Sequence, residues 1–193
     1  MATESPKETQ FKIAFIGSHG VGKTTLCYGL AARLKARDLP IEVVHEVARR
    51  CPLPINEETG VASESWILHT QVAEELVAQH RYRIVICDRS VLDNYVYLLL
   101  SDGPQEKLEQ LIDRWMATYH LLIHVPIVED PSPDGIRAED PAFQTAVDER
   151  LEQELSKRDL DAYYLNPTSR HNWLDVVETR VLDLIRPAQL QLL

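Results

Sequence analysis

No apolar run in this chain approaches the ~18 consecutive residues that a membrane-spanning helix requires, so the sequence predicts no such helix. The opening segment Met1–Gln10, MATESPKETQ, is polar and lacks the apolar middle of a secretory signal; it reads as a mobile tail. Cysteine is scarce. Cys27, Cys51 and Cys87 are odd in number and follow neither a pairing nor a zinc-binding spacing. They argue against a disulfide framework and for buried or half-buried thiols in a reducing, cytoplasmic compartment. Histidines such as His69, His80 and His120 are scattered and read as surface or core residues, not ligands. Runs of basic residues are missing too, and the formal net charge is −10. Nucleic-acid affinity rests on neutralising phosphates with Lys and Arg, so extended nucleic acid is a disfavoured partner, although a small basic pocket for a strand terminus is not excluded. There are no internal repeats. A length of 193 residues corresponds to one domain with room for an inserted lid, and an apolar fraction of 45% supplies a real core.

What is present is sharper. Gly17–Thr24 read GSHGVGKT, the Gly-x-x-x-x-Gly-Lys-Thr spacing of a phosphate-binding loop. The flanks are those its mechanism needs: the apolar run Phe11–Ile16 has strand character before it, and Leu26, Leu30 and Leu34 recur at helical spacing after it. Glycines let backbone N–H groups curl around phosphate oxygens, and the following helix N-terminus adds partial positive charge. Gly17, Ser18, His19, Gly20, Val21, Gly22, Lys23, Thr24 and Thr25 are therefore the expected nucleoside-triphosphate site. Lys23 is expected to reach the β- and γ-phosphates, and the Thr24 hydroxyl to be a Mg²⁺ ligand.

The rest of the chain alternates strand and helix, which implies an α/β fold with a mainly parallel sheet. Strands are expected at Phe11–Ile16, Ile41–His45, Arg83–Cys87, His120–Val125 and Ala162–Leu165. Helices are expected from the loop to about Arg37, over Ser63–Gln79 with Ser63 as N-cap, and over Ser90–Leu100. Three more are expected: one opened by Pro104, one opened by Pro141, and Trp173–Ile185. A helical turn fits Val47–Arg50. The segment Glu129–Asp140, EDPSPDGIRAED, has no apolar periodicity and reads as a lid loop within a domain spanning 11–193.

Four further positions carry candidate chemistry. Asp88 ends the apolar run Ile84–Cys87, where a carboxylate after a phosphate-binding loop holds Mg²⁺; the plainer alternative is a cap on the next helix. Arg89 beside it is placed to clamp a phosphoryl or acceptor oxygen. Glu46 follows the second strand and so lies at the ligand-gathering edge of a parallel sheet, where it would accept or orient the proton of an attacking hydroxyl; the alternative is a surface pair with Arg49. In the lid, Arg137 is placed to supply a mobile positive charge for the transferring phosphoryl group; the alternative is a solvated loop arginine.

HEVAR near the second strand, CDRS at the third, Asp93-Asn-Tyr95 with Tyr97, and the late DGIRAEDPAFQ together resemble the ribosylnicotinamide kinase domain of bifunctional NAD-biosynthesis proteins. They also resemble the wider AAA-like P-loop family that groups with that domain. The DRS element is similar to that of thymidylate and deoxyribonucleoside kinases. The resemblance spans about Phe11 to Ile185. It departs in the loop interior Ser-His-Gly-Val and in the absence of an adenylyltransferase half. It implies a P-loop NTPase sheet of five parallel strands, strand 3 beside strand 1, flanked by helices. It also implies catalytic roles for Lys23, Glu46, Asp88, Arg89 and Arg137, with Thr24 and Asp88 on the metal, and ATP and Mg²⁺ as cofactors. The leading expectation is ATP-dependent phosphoryl transfer to a small molecule, a nucleoside or nucleotide, by a monomer or homodimer. The alternatives are an ATP- or GTP-binding regulatory switch with a protein partner and a kinase of nucleic-acid 5′ ends. The absence of an Asn-Lys-x-Asp motif favours ATP over GTP.

Overall fold

The computed structural model describes residues 10–55, 58–129 and 140–186. The expected tail, Met1–Gln10, therefore lies outside the described residues except for its last member. Five strands form the sheet: β1 (Phe11–Ile16), β2 (Ile41–Val44), β3 (Ile84–Asp88), β4 (Leu121–His124) and β5 (Tyr163–Tyr164). Six helices cover it: α1 (Lys23–Lys35), α2 (Val61–Arg81), α3 (Val91–Ser101), α4 (Glu106–Met116), α5 (Pro141–Lys157) and α6 (Trp173–Ile185). The sheet order is β2-β3-β1-β4-β5 and every pairing is parallel, so strand 3 does lie beside strand 1.

Period-two alternation in β1 explains the two cores. Ile13 and Phe15 enter the cluster under α1 and α6, whereas Ala14 and Ile16 enter the cluster under α2, α3, α4 and α5. The same alternation splits β3: Ile84 and Ile86 go to the first cluster and Val85 and Cys87 to the second. A sheet buried on both faces permits no exposed strand positions, which is why these strands read as near-continuous apolar runs. Cys27 and Cys87 are buried and Cys51 is half-buried, all as free thiols.

Local chemistry sets the boundaries. Helix α2 starts two residues earlier than expected, because Gly60 is the N-cap and Ser63 is at the third helical position; its Oγ accepts the Gly60 N–H at 3.1 Å. Ser90 caps α3, accepting the Asp93 N–H while Asp93 Oδ2 accepts the Ser90 N–H at 2.9 Å, a reciprocal capping box. Helix α4 begins at Glu106, two residues after Pro104. Strand β5 is shorter than expected, and a 3-10 turn over Pro167–Asn172 leads into α6. No helix among the described residues is long and apolar enough to cross a membrane.

Candidate functional site

The ligand edge of this sheet is the carboxyl end of its strands, where the chain leaves β1 for the phosphate-binding loop. Gly17 takes φ +130°, and a Cβ there would lie 2.6 Å from the Val125 carbonyl oxygen, so no other residue fits this exit without moving β4. The loop is held from both sides. Asp93 Oδ1 accepts the Gly17 N–H at 2.9 Å, tying the loop to the start of α3. From α5, Gln144 Nε2 donates to the His19 carbonyl at 2.8 Å, Ser18 Oγ donates to the Gln144 carbonyl at 2.7 Å, and Asp148 accepts the Ser18 N–H at 3.3 Å. The Ser18, His19 and Val21 side chains are buried, with His19 Nδ1 3.2 Å from the Tyr97 hydroxyl. Side chains of the loop interior thus anchor the loop, and what remains for phosphate oxygens is backbone N–H and the ammonium of Lys23.

Lys23 reaches back across the loop, donating to the Gly17 carbonyl at 2.7 Å and to the Ser18 carbonyl. Burial lowers its pKa to about 8, helped by the nearby Arg89 and opposed by Asp93, Glu46 and Asp88. Thr24 Oγ1 donates to Asp88 Oδ2 at 2.6 Å. These two hard oxygen groups, on the first turn of α1 and the end of β3, suit a Mg²⁺ ion that keeps most of its water. The structure therefore brings together the two sequence-predicted metal ligands. Thr25, one position on, is exposed.

Arg89 follows at φ +101°, a left-handed conformation that costs a non-glycine residue about 1–3 kcal/mol and persists only where its surroundings impose it. The imposing contact comes from α2: Gln71 Nε2 donates to the Arg89 carbonyl at 3.0 Å. The strained turn aims the guanidinium sideways, where Arg89 Nε donates to Glu46 Oε1 at 2.7 Å and the guanidinium carbon lies 5.5 Å from the Tyr97 ring centre. Arg49 Nε donates to the other Glu46 oxygen at 2.7 Å. Burial works to raise the Glu46 carboxyl, but Arg89, Lys23 and Arg49 overcome it and hold the group at about 2. The Glu46–Arg49 pair, the alternative reading of Glu46, is thus present, and Arg89 joins it on the second carboxylate oxygen. Lys23, Glu46, Asp88 and Arg89 all converge on one edge; Arg137 lies outside the described residues, as does all of the 129–140 segment except Glu129 and Asp140.

A narrow cavity opens beside this cluster, walled by His19, Glu46, Glu64, Ile67, Arg89 and Tyr97 among others. Glu64, from the first turn of α2, is one of several residues that sequence reasoning missed. Burial raises its carboxyl to about 7, against the opposing pull of a Thr59 hydrogen bond and Arg89. Gln71 and Glu75 were missed as well. Glu75 accepts Lys12 Nζ, Trp115 Nε1 and the Tyr119 hydroxyl, each at 2.7 Å, and also Gln71 Nε2 at 2.8 Å. Asn94 Nδ2 donates to Gln71 Oε1 at 2.6 Å. A buried polar chain thus runs from Lys12, in β1, through α2 to the strained turn at Arg89. One signal was available: Ile67, Gln71, Glu75 and Ala78 lie at helical spacing with apolar Leu68, so polar residues share the buried stripe. Another tertiary grouping with metal-ligand proximity, His124, Asp148 and Glu152, arises where the sequence shows no ligand spacing; its Asp148 is already engaged by His124 Nε2 at 3.1 Å and by the Ser18 N–H.

A family model described as an AAA domain matches residues 12–172. Among solved structures the chain is similar to thymidylate kinase from Ehrlichia chaffeensis, with a TM-score of 0.63 and 17% identity over 92% of this chain and 100% of that one. A likeness at that identity is one of fold. No curated protein matches the chain.

Proposed function

The chain belongs to the AAA-domain family of P-loop proteins, and from that membership we propose that it moves the γ-phosphoryl group of ATP to a hydroxyl of a small molecule, a nucleoside or a nucleotide. One observation carries the reading. The phosphate-binding loop with its Thr24–Asp88 pair abuts a second cluster, Glu46–Arg89, that lines a separate cavity. A protein that only bound or hydrolysed a triphosphate would need the first group and not the second.

In the transfer, the bond from γ-phosphorus to the ADP oxygen breaks, a bond to the acceptor oxygen forms, and the hydroxyl proton is released. Mg²⁺, held by Thr24 and Asp88, would neutralise phosphate charge there. Lys23 and the loop N–H groups bind the β- and γ-phosphates. Arg89 offers positive charge to the transferring oxygens, and Arg137 is assigned the same work on sequence grounds. A carboxylate held at about 2 is a feeble base, so Glu46 acts by orienting the acceptor hydroxyl and the two guanidiniums. That suffices for a loose transition state, in which positioning and charge matter more than deprotonation.

The test is ADP release from Mg²⁺·ATP with a panel of nucleosides, nucleotides and related alcohols. Acceptor-dependent ADP is expected, and Glu46→Gln should lower kcat by ~10²-fold while ATP affinity stays near normal. ATP hydrolysis indifferent to every acceptor, or stimulated only by a protein partner, would overturn the proposal.

A further inference from the structure

The cavity beside the phosphate-binding loop contains two buried polar atoms with unmet hydrogen bonds. Arg89 Nη1 and Glu64 Oε2 each lack a hydrogen-bond partner among the described residues, and each residue is only 5% exposed. Buried polar atoms are otherwise satisfied almost everywhere in folded proteins, so two such atoms on one cavity point to a ligand that supplies the missing bonds. One atom is a donor and the other belongs to a carboxyl. The carboxyl is oriented: Thr59 Oγ1 donates to Oε1 at 2.8 Å, which leaves Oε2 for whatever enters. Ile67 and the Tyr97 ring form the apolar part of the wall.

Hydrogen-bond chemistry narrows the ligand. The guanidiniums of Arg89 and Arg49 share the single carboxylate of Glu46, at 2.7 Å each, so Glu46 by itself answers one charge of the two. The open atoms decide: a phosphomonoester dianion offers only acceptors and would set an oxygen against Glu64 Oε2, whose partner must donate. An uncharged molecule that presents both a hydroxyl or N–H donor and an acceptor oxygen or nitrogen satisfies both atoms.

Resting on the reading of this chain as a small-molecule kinase, we propose that Glu64 is the specificity-determining residue of the acceptor site and that the acceptor is an uncharged nucleoside. A donor of the nucleoside meets Glu64 Oε2, an acceptor atom meets Arg89 Nη1, and its ring packs on Ile67 and Tyr97. The cavity as it stands holds about 20 Å³, room for about one water molecule. The acceptor enters by displacing one wall, and the wall that carries Ile55 lies on a segment outside any helix or strand.

The experiment compares kcat/KM for thymidine, uridine, cytidine and adenosine with that for their 5′-monophosphates, in wild type and in Glu64→Gln, with the KM for ATP measured in parallel. Wild type is expected to prefer at least one nucleoside to its monophosphate by about tenfold or more. Glu64→Gln removes the negative charge and turns an acceptor into an amide donor. It should shrink that preference by about tenfold, through the nucleoside KM, and leave the ATP KM unchanged. Monophosphates preferred by wild type would overturn the proposal even if the variant failed to fold. A variant that loses both substrate classes equally would overturn Glu64's role while the kinase reading stands. ADP release that responds to no acceptor, in a protein that still binds ATP, would remove both.

Discussion

Lys23 is the residue on which triphosphate binding turns. Its ammonium is buried, tethered by two carbonyls of its own loop, and paired with no carboxylate at hydrogen-bond distance among the described residues. Its hydrogen bonds stay within its own loop, so Lys23→Ala should abolish ATP binding, measured by calorimetry, while the thermal melt stays cooperative and near its original midpoint. Unchanged ATP affinity in that variant would remove the basis for the loop assignment. Glu64 carries a second residue-scale prediction. Burial holds its carboxyl at about 7 against an ordinary 4.5. Between those two values the folded chain keeps a proton that the unfolded chain has released, so stability falls as pH rises through that window. Glu64→Gln has no such proton. The wild-type melting temperature relative to that variant should therefore drop by several degrees from about pH 5 to about pH 7.5. A constant difference would show that the Glu64 carboxyl titrates normally.

Helix α2 does more than cover the sheet. Its buried stripe carries Gln71 and Glu75 as well as Ile67 and Leu68, and those two polar residues connect the core to the strained Arg89 turn. Lys12 and Glu75 are both fully buried, and Lys12 Nζ also lies 4.3 Å from the Tyr119 ring centre and 4.5 Å from that of Trp115. Such a pair is costly to break from one side, because the remaining charge stays buried. The two sides are unequal. Glu75 keeps three other donors when Lys12 is removed, whereas Lys12 keeps only aromatic faces when Glu75 is neutralised. Glu75→Gln should therefore destabilise the fold by about 3–5 kcal/mol and Lys12→Met by clearly less, read from urea denaturation. Equal losses would mean the pair, and not the wider network, sets the energy. Helix α5 has a comparable double role, since Gln144 and Asp148 hold the outer side of the phosphate-binding loop immediately after the expected lid.

At the scale of the whole molecule, net charge decides among partners. An acidic surface disfavours polynucleotides, whose affinity comes from phosphate neutralisation. Single-stranded oligonucleotides with a free 5′-hydroxyl should neither raise ADP release nor shift the melt at low salt, where electrostatic binding is strongest. Saturating Mg²⁺·ATP should shift it upward, by about 2.7 kcal/mol of stability at a hundredfold excess over Kd. Tight, salt-sensitive oligonucleotide binding would return the 5′-end kinase reading to consideration.

The sequence by itself determined the phosphate-binding loop, the strand–helix alternation and the approximate extent of the strands and α-helices, because these depend on local spacing: glycines at fixed offsets, period two in strands, period 3.6 in helices. It also placed Thr24, Asp88, Arg89 and Glu46 at strand or helix ends, where parallel sheets gather ligands. The tertiary structure alone decided how they meet. That Thr24 bonds Asp88, that Arg89 turns left-handed toward Glu46, and that Asp93 secures Gly17 follow from parallel strand order, which sets residues 64 or 76 positions apart side by side. Gln71 and Glu75 left a trace only in their spacing along the buried stripe of α2, and Glu64 was illegible for the same reason. On a helix they read as ordinary polar residues, and only packing against α3 and the sheet buries them, because burial is a property of what lies opposite and not of the residue itself.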